Sequence, residues 1–159
     1  HSPGEHWGMV RDQQRRTLAV SNTAMAVSLD VGTPGNVHPP DKQTVGARLA
    51  VAARGMVYGE AVDYSGPMFR QATQDGAGMR VWFDHAQGLT AKGGELAGFE
   101  IAGADKQFVP AAAVIEGSSV EVKSAAVKNP EYVRYGWQNV TNGNLYNAAG
   151  LPASTFTSE

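Results

Sequence analysis

The sequence contains no cysteine, which excludes a disulfide framework, a thiolate metal site and a cysteine nucleophile. That absence does not fix the compartment, because exported proteins without cysteine are common. An excess of positive charge is also lacking. The 13 Lys and Arg residues are outnumbered by 15 Asp and Glu, for a formal charge of -2, and the longest basic cluster is Arg15-Arg16. With so few cations to track a phosphate backbone, nucleic acid is not an expected partner. No apolar run approaches the roughly 20 residues that a bilayer-spanning helix needs, so no membrane association is expected. The stretch HSPGEHWGMVRDQQRR has no signal-peptide layout, and an export signal, if the protein uses one, lies upstream of it. The 19 glycines form neither GxGxxG nor GxxxxGK, so no phosphate-cradling loop is present.

What remains is a chain of 159 residues, 42% hydrophobic, enough for one ordinary domain or two small ones. Its character changes near Gly59-Glu60, from a helix-strand-loop-helix pattern to short alternating runs rich in Val, Gly, Phe and Tyr. The expected boundary is therefore at residue 60. Residues 5–18 place Trp7, Val10, Gln14 and Leu18 near a 3.6-residue period, which predicts a helix. The nearly unbroken apolar run AMAVSL, residues 24–29, ends at Asp30 and resembles a central parallel strand buried on both faces. Such a strand needs neighbours that this region does not supply. The loop VGTPGNVHPP follows, and a helix is predicted from the N-cap Asp41, with Val45, Leu49, Ala52 and Met56 on one face and Gly59 at its C-terminal end.

Beyond residue 60, strands are expected at 79–84, 99–102, 112–117, 119–124 and 131–137, separated by turn clusters such as Gln74-Asp75-Gly76 and Lys128-Asn129-Pro130. That spacing favours a small antiparallel sandwich or barrel. The tail NLYNAAGLPASTFTSE, residues 144–159, carries no assignable pattern.

Ligands of open α/β sheets bind outside the carboxyl ends of the strands, and Asp30 through His38 to Asp41 occupies that place. An imidazole titrating near neutral pH suits removing a proton from a nucleophile and returning it to a leaving group. A loop histidine bonded to backbone is the competing reading. Pro39 and Pro40 stiffen the chain after the ring or end a turn. His85 follows Asp84 on a strand, where neighbouring side chains point to opposite faces, so the pair makes a poor chelate. His1 and His6 sit at the chain start. Trp82, Trp137, Tyr132, Tyr135 and Tyr146 could stack against sugars, although alternation favours packing for most of them. Asp63 and Asp105 look like turn or surface carboxylates.

The block MAVSLDVGTPGNVHPPDKQTVGARLAVAARGMVYGE, residues 25–60, resembles the histidine-bearing part of sialate O-acetylesterases, a branch of the SGNH hydrolases. The shared features are the strand ending in Asp30, His38-Pro39, Asp41-Lys42-Gln43, Arg48-Leu49 and Tyr58-Gly59-Glu60. The likeness continues in collinear order through GPMF (66–69), GFEIAG (98–103) and NLYNAAGLPAS (144–154).

The resemblance implies an α/β fold in which residues 1–60 are the C-terminal strand and helices of a flavodoxin-like parallel sheet and residues 61–159 a small antiparallel β domain. It implies a serine esterase that removes acetyl groups from sugars such as O-acetylated sialic acid, with His38 as acid/base and no metal or other cofactor. The implied partner is an N-terminal fragment of the same polypeptide carrying the serine, and the expected location is periplasmic or secreted. The position three before the histidine, where many such enzymes place the triad carboxylate, is Gly35. Asp30 is the first candidate to orient His38; Asn36, a backbone carbonyl or a carboxylate from outside the chain are the others. An acetylxylan esterase of the same fold and a noncatalytic carbohydrate-binding module built from 61–159 are the alternatives.

Overall fold

The computed structural model describes residues 6–36 and 38–159. In chain order the elements are α1 (Trp7–Arg16), a 3-10 turn (Thr17–Ala19), α2 (Lys42–Met56), β1 (Met68–Asp75), β2 (Gly78–Asp84), β3 (Thr90–Ala91), β4 (Phe99–Ala102), β5 (Val109–Pro110), β6 (Ala112–Glu116), β7 (Ser119–Lys123), β8 (Tyr132–Tyr135), β9 (Leu145–Tyr146) and β10 (Phe156–Thr157). The strands form two four-stranded sheets, ordered β1-β2-β7-β6 and β10-β8-β4-β5, and a small β3-β9 pair. Each of these ladders is antiparallel.

The sheets exist because their strands alternate. In β2, Met79, Val81 and Phe83 are buried while Arg80 and Trp82 are partly exposed; β7 contributes Val120 and Val122. Facing them are Phe99 and Ile101 of β4, Val133 and Tyr135 of β8, and Phe156 of β10, and together these side chains make one core. Burying each large apolar side chain is worth about 1.5–3 kcal/mol relative to leaving it in water. This is the antiparallel sandwich expected for the second region, and the five expected strands correspond to β2, β4, β6, β7 and β8.

Several elements differ from expectation. β1 is an addition: its sequence MFRQATQD exposes most of one face, and a bulge at Arg70 shifts its register on β2. The unassigned tail supplies β9 and β10 and some of the most deeply buried side chains, Leu145, Ala153 and Phe156. Residues 24–29, expected as a parallel strand, enter no ladder, and Met25, Ala26 and Val27 remain half-buried. The reason is physical: no described strand lies beside them to supply partners for their N–H and C=O groups.

The helices form where expected but are turned differently. α1 buries Gly8 and Asp12 rather than Trp7, Val10, Gln14 and Leu18. Gly8 packs so tightly on Trp137 that a methyl there would overlap its carbonyl oxygen. Asp12, 1% exposed, is held by Arg15 at 2.8 Å and Arg16 at 2.7 Å. In α2, Asp41 caps the N-terminus by accepting from the Thr44 amide at 2.9 Å, as expected, and Gly59 takes a φ of +67° just past the helix end. Of the expected apolar face, however, only Ala52 is buried; Leu49 is 54% and Met56 37% exposed. The side turned inward carries Arg48, Ala52 and Gly55, the last seated against the Tyr64 ring.

Contacts cross the expected boundary at residue 60. Arg11 donates to the Gly136 and Gln138 carbonyls at 2.7 and 2.6 Å and to the Thr155 hydroxyl at 3.0 Å, and Arg16 reaches the Glu159 carbonyl at 2.9 Å. α1 is thereby fastened to the sandwich.

Candidate functional site

The loop from Asp30 to Asp41 is built by local bonds. Pro34 and Gly35 are the central residues of a turn closed by the Asn36 amide donating to the Thr33 carbonyl at 3.0 Å. Gly35 has a φ of +74°, the left-handed value that a type II turn requires after proline. Asn36 then accepts the His38 amide hydrogen on its side-chain oxygen at 2.8 Å. Three residues later the chain enters the Asp41 cap, where the Thr44 hydroxyl also donates to the carboxylate at 2.7 Å. His38 is thus pinned by its backbone on one side and lies just before a capped helix on the other. The residue is exposed. The adjacent Val37 lies outside the described residues.

Asp30, the expected orienting group, has other partners. Arg48 donates from Nη1 to Oδ1 and from Nη2 to Oδ2, each at 2.7 Å, and Tyr146 donates its hydroxyl to Oδ2 at 3.1 Å. The Arg48 and Asp30 side chains are only 11% and 18% exposed. Arg48 also holds the Val27 carbonyl at 2.6 Å. Partial burial acts to raise the Asp30 pKa, but the bonds and charge of Arg48, assisted by Tyr146, outweigh it and hold the carboxyl below its ordinary range. Tyr146 is pushed up to about 12, chiefly by burial and then by the Asp30 charge.

No hydrogen bond joins the Asp30 carboxylate to the His38 ring among the described residues. The structure brings Asp30 to Arg48 and Tyr146, and Asn36 to the His38 backbone. The bonds of Arg48 and Tyr146 to Asp30 escape sequence reasoning because the partners lie 18 and 116 positions away. Tyr146 stands out in the sequence only as an aromatic that could stack against a sugar, and both residues fall in the Arg48-Leu49 and NLYNAAGLPAS resemblances.

Beside the loop lies an open groove of about 770 Å³. One wall is the segment 24–29, another is Trp7, Arg11 and Gln14 of α1, and Thr33 through Asn36 and Pro39 border it. The other candidates take structural places. His85 meets the Tyr64 ring edge-on at 5.3 Å, and its carbonyl accepts from Asn147 at 3.1 Å. Asp84 lies 3.9 Å from Arg70 at the surface. His6 precedes α1, and His1 lies outside the described residues. Tyr135 is core, Tyr132 carries the Lys106 ammonium on its face, and Trp137 shares the Arg134 guanidinium with Phe108. Among the described residues no cluster of three or more His, Asp or Glu could hold a metal ion, and no helix is long and apolar enough to cross a membrane.

No family model matches the chain. Sialate O-acetylesterases of Homo sapiens and Mus musculus are each 46% identical to it over 52 residues, 30% of this chain and 10% of theirs. The crystal structure of a carbohydrate acetylesterase from Xanthomonas citri superposes with a TM-score of 0.92 and 45% identity over 96% of this chain. The chain spans 36% of that enzyme.

Proposed function

Because the chain belongs to the sialate O-acetylesterase family and corresponds to its C-terminal part, we propose that it supplies the acid/base histidine of a serine carbohydrate O-acetylesterase. The observation that carries this reading is the placement of His38: an exposed residue on a loop fixed by an Asn36 bond behind it and the Asp41 helix cap ahead of it. A ring that trades protons with a reacting oxygen must be both reachable and held in position.

In the proposed reaction a serine from the N-terminal part of the polypeptide attacks the acetyl carbonyl while His38 takes its proton. His38 then protonates the departing sugar oxygen. The acetyl-enzyme is hydrolysed when His38 activates a water, releasing acetate and restoring the serine. Asp30 contributes as a carboxylate held ionised by Arg48 at the start of the loop. O-acetylated sialic acid is the proposed substrate type, and a periplasmic or secreted location goes with it.

The partner segment is inferred from what this chain leaves uncovered. Residues 24–29 enter no ladder, the groove beside them is open, and Leu49, Met56, Val57 and Tyr58 of α2 and its end are 54%, 37%, 75% and 74% exposed. Unpaired backbone groups and contiguous apolar surface are costly in water. We therefore place the remaining strands of a parallel, flavodoxin-like sheet against this wall.

The test is acetate release from O-acetylated sialic acid and from acetylated xylan. It compares this chain alone with the chain joined to the upstream part of its polypeptide. Turnover is expected from the joined protein only. Turnover by the isolated chain would mean that its nucleophile lies within these residues.

A further inference from the structure

The Asp30 carboxylate is the meeting point of three parts of the molecule. The loop that carries His38 starts there; Arg48 of α2 grips both of its oxygens; Tyr146 of β9, from the sandwich, donates to one of them. Arg48 simultaneously bonds the Val27 carbonyl, so one guanidinium ties the segment 24–29 to the first residue of the loop. The same helix closes the other end of the loop through the Asp41 cap. Tyr146 is itself immobilised: its backbone pairs with Thr90 and Pro152, and Lys92 sits over its ring at 5.0 Å.

Resting on the proposed role of His38, we propose that Arg48 and Tyr146 are positioning residues that act through Asp30 to hold the histidine loop against α2 and the sandwich. A planar guanidinium suits this task because its two parallel bonds fix direction as well as distance. Tyr146 is pushed up to about 12 and the Asp30 carboxyl is held below its ordinary range, so both partners keep the protonation state that the latch needs throughout the range in which an imidazole exchanges protons. The sandwich is in this way part of the esterase machinery, since a residue 116 positions from Asp30 sets the geometry of the loop.

The test uses the whole enzyme and three variants, Tyr146→Phe, Arg48→Lys and His38→Ala, with an aryl acetate as substrate. Tyr146→Phe removes a single oxygen and retains the ring packing; Arg48→Lys keeps the charge and loses the fork. Both are expected to lower kcat by about tenfold while KM stays within about twofold, the pattern of a misplaced acid/base rather than of lost binding. In a His38→Ala background, Tyr146→Phe is expected to change the residual rate by less than about twofold, because a group acting through His38 has nothing left to act on.

Amide hydrogen exchange supplies a readout independent of catalysis. The amides of residues 30–41 are expected to exchange faster in Tyr146→Phe than in the parent, with the β2 and β7 amides unchanged. Unchanged loop exchange, a wild-type kcat in Tyr146→Phe, or a full Tyr146→Phe effect in the His38→Ala background would each overturn the positioning role. If His38→Ala itself is fully active, the histidine assignment fails instead, and the exchange measurement still decides whether the latch holds the loop.

Discussion

Tyr135 accepts the Leu145 amide hydrogen at 2.9 Å in the buried centre of the sandwich. Gly143 passes so close beneath the ring that a Cβ there would sit 2.7 Å from the hydroxyl. The bond ties the irregular tail to β8 at the first residue of β9. Burial drives the Tyr135 pKa far above its ordinary value, and the phenol remains neutral at every working pH.

Tyr135→Phe leaves the Leu145 N–H without its partner while conserving the ring. Orphaning a buried donor costs about 1–3 kcal/mol, so the urea midpoint is expected to fall accordingly. An unchanged midpoint would show that the bond contributes nothing to the docking of the tail.

Two glycines on the helices should respond in opposite directions. Gly8→Ala forces a methyl into Trp137, and overpacking of this kind costs about 1–3 kcal/mol. Gly46 lies within α2, and a methyl added there would meet open space. Gly46→Ala should therefore stabilise by about 0.5–1 kcal/mol by restricting the unfolded chain. Thermal unfolding of both variants checks the sign.

Acid should open the Asp30 latch. Its pKa is lower in the folded protein than in the unfolded chain, whose value is about 3.9. The stabilisation it provides is therefore fully present above that unfolded value and is lost as pH falls through the folded one. The difference in urea midpoint between the parent and Asp30→Asn should be constant from neutral pH to about 5 and close as pH drops below about 4. A gap that persists at low pH would assign the effect of the substitution to packing rather than to charge.

The sandwich is legible in the sequence wherever one face of a strand is core, as in Met79-Arg80-Val81-Trp82-Phe83, because burial on one side writes a two-residue alternation. β1 breaks that rule: its exposed Arg70, Gln71, Thr73 and Gln74 leave only weak apolar marks. The tail is illegible for a different reason. Its strands are two residues long, and side-chain bonds hold it, such as those from Asn147 Nδ2 to the Ser65 and His85 carbonyls at 2.9 and 3.1 Å. Neither has a periodicity to read.

The helices show the same limit. Periodicity finds α1 and α2 but misjudges which side turns inward, since Gly8 and Gly55 dock by close approach and Asp12 is buried with its charge matched by Arg15 and Arg16 of its own helix. The loop and its exposed His38 are singled out by their order along the chain. The Arg48–Asp30–Tyr146 contact cannot, because nothing local records a partner 116 residues away.

We propose His38 as the acid/base group of an O-acetylesterase. The direct measurement is the kcat for aryl acetate hydrolysis by His38→Ala in the whole enzyme, with circular dichroism and thermal unfolding matching the parent. A loss of at least about 10³-fold is expected, the scale on which a serine enzyme depends on its histidine. A folded His38→Ala protein that retains activity within about twofold of the parent would contradict it.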